Sequence, residues 1–150
     1  MTTELGTARA ADLPQLVELL GILFTQEAEL TPDSEKQRHA LEIIFADPSR
    51  ARIYVARDSG RIIAMAALHF TTSTAEGGKA AWLEDCIVRP EYHRQGIGKA
   101  LLEYVVAQAR AEGALRVMLL TDGDNERAQA LYRKAGFTDS AMLAMRLKLR

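Results

Sequence analysis

Two carboxylates, Glu84 and Asp85, stand side by side in a run from Ala80 to Val88 that is otherwise apolar. A charge inside an apolar strand is costly unless it has a partner. At least one of the pair therefore has a reason to be there: taking a proton, holding a cation, or pairing with Arg or Lys across a sheet. Neighbours on a regular strand face opposite sides, so both can serve one site only where the strand is bulged. Pro90 marks the end of the strand, and the chain then runs His93-Arg94-Gln95-Gly96-Ile97-Gly98-Lys99. Glycines let a backbone take positive φ and approach a ligand closely. Successive N–H groups at such a turn, followed by a helix start, favour an anion, and Arg94 and Lys99 add side-chain charge. The chemistry on offer is phosphate binding beside one or two carboxylates.

Two nucleotide motifs fail on this turn. The dinucleotide fingerprint requires a third small residue where Leu101 stands, and no P-loop Gly-Lys-Ser/Thr is present. Cys86, the one cysteine, sits in an apolar strand with no His beside it in sequence, which argues for an inert thiol over an acyl-carrying nucleophile. It also leaves no disulfide framework and no cysteine metal cluster. His39, His69 and His93 show no metal spacing, so no metal is expected. His93 reads as a solvated turn residue or as an aid to phosphate binding.

The turn resembles that of the Gcn5-related N-acetyltransferases, Arg/Gln-x-x-Gly-x-Gly/Ala between a strand and a helix, with His93 departing from the first position. A second stretch, Asn125-Glu126-Arg127-Ala128-Gln129-Ala130-Leu131-Tyr132-Arg133-Lys134-Ala135-Gly136-Phe137, is similar to the family's later motif, Asn-x-x-Ala-x-x-x-Tyr-x-x-x-Gly-Phe. Read without the resemblance, Asn125 caps a helix and Tyr132 packs in a core. The resemblance implies more. Acetyl-coenzyme A is the co-substrate, and its pyrophosphate lies on the turn Arg94, Gln95, Gly96, Ile97, Gly98 and Lys99. Asn125 lies near the pantetheine arm. Tyr132 lies near the thioester sulfur and is the general acid. A backbone N–H within Cys86, Ile87 and Val88, with Ile87 or Val88 favoured, donates to the thioester oxygen. Leu-Glu-Asp before the turn is also similar to polyamine acetyltransferases, where the Glu is the base and the Asp helps hold a cationic acceptor. That makes Glu84 the expected base and Glu84 with Asp85 the acceptor-binding pair. In the family, the connector between the first two helices borders the acceptor channel, and here it clusters Glu27, Glu29, Asp33 and Glu35.

The elements follow from periodicity. Thr3 to Arg9 is a first strand. Asp12 is a candidate N-cap with Pro14 in the first turn, ahead of an apolar helical face from Leu13 to Phe24. Ser34 and Gln37 form a capping box for a second helix that Asp47-Pro48 stops. Arg52 to Arg57 and Arg61 to Phe70 read as a hairpin about Asp58-Ser59-Gly60, with Ile53 and Val55 on one face and Tyr54 and Ala56 on the other. Thr71 to Lys79 is a polar connector. A helix carrying Leu101, Leu102, Val105, Val106 and Ala109 follows the turn and ends at Gly113. Arg116 to Leu120 is a short buried strand, Glu126 to Ala135 a helix, and Leu143, Met145, Leu147 and Leu149 alternate as a last strand. The central strand, its helix and Arg116 to Leu120 make a right-handed parallel β-α-β unit. The expected fold is α/β: a mixed, mostly antiparallel sheet flanked by helices on both faces, which is the acetyltransferase order.

At 150 residues the chain is expected to be one domain, residues 1–150. A net charge of −1 argues against general nucleic-acid or anionic-membrane binding. Met1 to Arg9 has no apolar run and no stretch approaches a membrane span, so a cytoplasmic setting is expected. The expected function is direct transfer of acetyl from acetyl-coenzyme A to a primary amine of a small, cationic acceptor within a ternary complex. The alternatives are a module that senses acyl-coenzyme A without turnover, and nucleotide binding by the same turn. A homodimer stays open.

Overall fold

Around Ser59 and Gly60 the backbone takes φ of 49° and 86°. Two left-handed residues make the two-residue turn whose twist matches antiparallel strands, so the expected hairpin forms. The computed structural model describes residues 2–27 and 30–150. Its strands are β1 Thr3–Thr7, β2 Ala51–Asp58, β3 Arg61–Ser73, β4 Gly78–Val88 and β5 Val117–Leu119. Its helices are α1 Leu13–Gln26, α2 Ser34–Ala46, α3 Ile97–Ala111 and α4 Glu126–Lys134. The sheet order is β1-β2-β3-β4-β5, antiparallel except for β4 with β5. This is the expected mixed α/β sheet.

Alternation along β2 splits the core in two. Ile53 and Val55 join Leu16, Leu19 and Leu20 of α1 and Leu41 of α2. Tyr54 and Ala56 join Leu101, Leu102, Val105 and Ala109 of α3. Helices therefore cover both faces, and β4 runs between them with Leu83 on the α3 side and Ile87 on the α1 side.

Four local expectations are corrected. The polar stretch from Thr71 is mostly ladder: β3 runs to Ser73 and β4 starts at Gly78, because each backbone group finds its partner across a long hairpin. The capping box sits one residue earlier, with Asp33 accepting from Lys36 N at 3.2 Å while Gln37 Oε1 accepts from Asp33 N at 2.8 Å. Asp12 precedes α1 but caps nothing there. Its buried carboxylate pairs with both terminal nitrogens of Arg57, at 2.8 and 2.6 Å, and accepts from Arg9 N at 2.7 Å. Those bonds, the Arg57 contact first, hold Asp12 below the usual carboxylate range. The fourth is the expected last strand, which does not form. Leu143, Met145, Leu147 and Leu149 are all more than four-fifths exposed. Alternation makes a strand only where an edge offers paired backbone and one face is covered. Here β5 spans three residues and Leu120 already turns outward.

Candidate active site

β4 has two neighbours only as far as Leu83, which pairs with Leu119 of β5. Beyond it the strands part, and a cavity of about 1030 Å³ opens between them. On the other edge, Ala67 faces Glu84 and Met65 faces Ile87, so the single Ala66 opposes both Asp85 and Cys86. That is a β-bulge, and Asp85 carries it with φ of 54°. The bulge meets the condition set by the sequence: Glu84 and Asp85 both line the one cavity.

Their environments differ. Burial, then the charge of Glu84, then that of Glu27, pushes the Asp85 carboxyl up to about 6. No cation is paired with it among the described residues. The Glu84 side chain is 58% exposed and lies 3.7 Å from His69 Nε2, one strand over. Glu27, at the end of α1, also lines the cavity and is raised by burial and then by Asp122. The acidic cluster is therefore Glu27, Glu84, Asp85 and Asp122. Asp33 and Glu35 are not part of it: Asp33 caps α2 and Glu35 is exposed 3.9 Å from Arg38. Glu29 lies outside the described residues. Asp122 was missed because a lone Asp in a loop carries no sequence signal.

The next residues of β4 present backbone and sulfur. Arg89 N donates to Ile63 O at 2.7 Å, and Ala64 faces Val88. By antiparallel alternation, Ile87 then spends its N–H on Met65, while the N–H and C=O of Val88 point away from β3. Of the two favoured donors, only Val88 turns its N–H toward the gap where the strands part. The strand end is fixed by Arg89, 3% exposed, whose Nε donates to Ile62 O at 2.8 Å and whose Nη1 meets Glu18 of α1 at 2.6 Å. Cys86 is half-buried, and its desolvation pushes the thiol up to about 11. A thiol held protonated is a poor nucleophile. The Tyr132 hydroxyl lies near the Cys86 thiol, and burial, then the neighbouring Cys86, raises its pKa well above the ordinary tyrosine value. Its ring meets Phe137 edge-on at 6.1 Å.

The turn after β4 uses its two glycines differently. Gly96 has φ of 77° with open space where a Cβ would stand, so it is needed for conformation. Gly98 is needed for room: a Cβ there would sit 3.1 Å from Leu131 Cδ2 and 3.4 Å from Val88 Cγ2. Arg94 is also left-handed, at φ of 64°. The first turn of α3 thus opens into the cavity, with Arg94, Ile97 and Lys99 lining it. These features fit a phosphate-bearing ligand: a shallow backbone cradle at a helix start with cations beside it. Gln95 does not line the cavity; its amide reaches Glu91 O at 3.5 Å. Asn125 lines it and also caps α4, accepting from Ala128 N at 3.1 Å.

The profile of the acetyltransferase (GNAT) family matches residues 13–137. The chain is 29% identical over 139 residues to a glucosamine 6-phosphate N-acetyltransferase of Trypanosoma brucei brucei, covering 89% of this chain and 88% of that one. It is 32% identical over 128 residues to an aminoglycoside N(6')-acetyltransferase type 1 of Klebsiella aerogenes, covering 80% and 84%. An uncharacterized N-acetyltransferase of Mycobacterium tuberculosis is 38% identical over 103 residues, which is 69% of this chain and 62% of that protein. Among solved structures, an acetyltransferase of Trypanosoma brucei superposes with a TM-score of 0.76 at 28% identity, covering 99% of this chain and all of that one.

Proposed function

The chain belongs to the GNAT family and is an N-acyltransferase, and from that premise we propose that it moves acetyl from acetyl-coenzyme A to a primary amine of a small cationic acceptor, directly within a ternary complex. Acetyl-coenzyme A supplies the activated acyl group as a thioester. Arg94, Gly96, Ile97, Gly98 and Lys99 would hold its phosphates, and Asn125 would lie along its pantetheine arm. The observation that carries the reading is the bulge. It turns Asp85 into the same cavity as Tyr132 and the parted edge at Val88, next to the glycine turn.

Each residue then has a task that its environment suits. A lysine-like acceptor ammonium has a pKa of about 10.4 and must lose a proton before it can attack. Glu84 was the base expected from sequence, but Asp85 suits that task better. It is half-buried, has no cation partner among the described residues, and is raised to about 6, nearer working pH than an ordinary carboxyl. Glu84, exposed and shared with His69, would attract and orient the cation. The Val88 N–H would donate to the acyl oxygen as charge develops on it. Tyr132, whose raised pKa keeps it protonated, would donate to the departing sulfur.

The acceptor reading rests on charge. Glu27, Glu84, Asp85 and Asp122 line one part of the cavity, while Arg94 and Lys99 line the turn. Phosphates suit the second group and a cation the first. Relatives named for glucosamine 6-phosphate and aminoglycosides put amino sugars first in the panel, with polyamines, basic amino acids and lysine side chains after them.

The test is the pH dependence of kcat/KM for the best acceptor. Wild type should gain activity through a limb near pH 6, the value to which Asp85 is raised. Asp85→Asn should lose that limb and climb only as the amine deprotonates unaided. Glu84→Gln should keep the limb and raise KM for the cation. If Glu84→Gln removes the limb and Asp85→Asn keeps it, the base is Glu84.

A further inference from the structure

His93 stands where the resembled motif has Arg or Gln, and the structure shows what it does there. Its Nε2 lies 3.0 Å from Val88 O and its Nδ1 lies 3.0 Å from Nη1 of Arg127. A guanidinium can only donate and a carbonyl can only accept. The imidazole is therefore neutral, with its proton on Nε2 donated to Val88 and its Nδ1 accepting from Arg127. Both ring nitrogens are spent, so His93 has no donor left for a phosphate.

Arg127 is the residue that gains. It lies on the first turn of α4, exposed, and lines the same cavity as Arg94 and Lys99. Lys99 has Glu103 at 3.7 Å, whereas Arg127 has no carboxylate partner among the described residues. A neutral acceptor holds the guanidinium in place without cancelling its charge, and leaves its other N–H groups free. That is the arrangement suited to a phosphate, which guanidinium groups bind through paired, charge-assisted hydrogen bonds. An arginine met by a carboxylate would have been a structural pair and nothing more.

We propose that Arg127 is a phosphate contact for coenzyme A and that His93 is its positioning residue, supplying from α4 the charge that the turn lacks at position 93. The inference rests on the acetyl-coenzyme A reading above. It also links two parts of the site. The imidazole that orients Arg127 hangs on the carbonyl of Val88, the residue whose N–H faces the gap beyond the end of the β4–β5 pairing.

Calorimetric titration of the intact protein with coenzyme A, 3′-dephospho-coenzyme A and pantetheine tests it. Arg127→Gln should weaken coenzyme A about ten- to a hundredfold, the range of a hydrogen bond to a charged group, and leave pantetheine unchanged. Loss confined to coenzyme A identifies the 3′-phosphate as the partner, and equal loss with the dephospho form identifies the pyrophosphate. His93→Ala should weaken coenzyme A as well, and adding Arg127→Gln to it should cost little more, because the two act as one unit. His93→Gln keeps one donor and one acceptor and should restore most of the affinity. Wild-type affinity in Arg127→Gln, or an equal loss for pantetheine, overturns the proposal. Absence of coenzyme A binding in wild type overturns the acetyl-coenzyme A reading itself.

Discussion

Asp85 is held at φ of 54° and pushed up to about 6 by burial and two acidic neighbours. A group that binds its proton more tightly when folded adds stability below its unfolded pKa and loses it as pH rises through the folded value. The gap between 3.8 and about 6 corresponds to about 3 kcal/mol. Asp85→Asn should therefore match wild type in chemical denaturation near pH 4 and become the more stable protein by pH 7. Parallel stability profiles would remove the burial argument. Tyr132→Phe should keep the fold and coenzyme A affinity, since the ring still meets Phe137, while turnover falls by about 10²- to 10⁴-fold. Unchanged turnover, with chemistry limiting, would return Tyr132 to packing. At this scale the sequence showed that the carboxylates needed a reason and that a bulge would unite them. It did not show which one is the more buried, because burial depends on what α1 and the loop after β5 bring up. The His93–Arg127 contact was invisible for the same reason: nothing local joins residues on two different motifs.

Helices and strands with a covered face were legible, because burial writes a period into the sequence. Ile53 and Val55 against Tyr54 and Ala56 is such a case, read correctly down to the faces. The tail is the counterexample: Leu143 to Leu149 has the strand period but no covered face, and period alone does not supply a partner. The glycine turn was legible as a turn, but the division of labour between Gly96 and Gly98 was not, since the Leu131 contact comes from α4. It gives an expected outcome. Gly98→Ala adds one methyl against the movable end of Leu131 and should keep the thermal shift on adding acetyl-coenzyme A. Gly98→Val should press Leu131 and Val88 apart and lose most of it. Wild type should gain about 2.7 kcal/mol at a hundredfold excess over the dissociation constant. A full shift in Gly98→Val would show that the close approach of α3 to α4 does not shape the cradle.

Across the whole molecule, a net charge of −1 conceals a divided cavity. Cations gather at the start of α3 and α4, and acids gather at the bulge and the end of α1. The parting of β4 from β5 lets both reach one space, and the two cores on opposite sides of the sheet hold it open. Composition reports the sum and is blind to the division. An acidic region concentrates cations and speeds their encounter, and salt weakens that effect. Catalysis is read directly from thiol release from acetyl-coenzyme A across a panel of cationic, neutral and anionic amines, at low and at high salt. Release should depend on the amine, be fastest with a cationic primary amine, and lose efficiency as salt is added. Acetyl-coenzyme A that binds but releases no thiol with any amine, or a best acceptor that is neutral or anionic and indifferent to salt, would contradict acetyl transfer to a cationic amine.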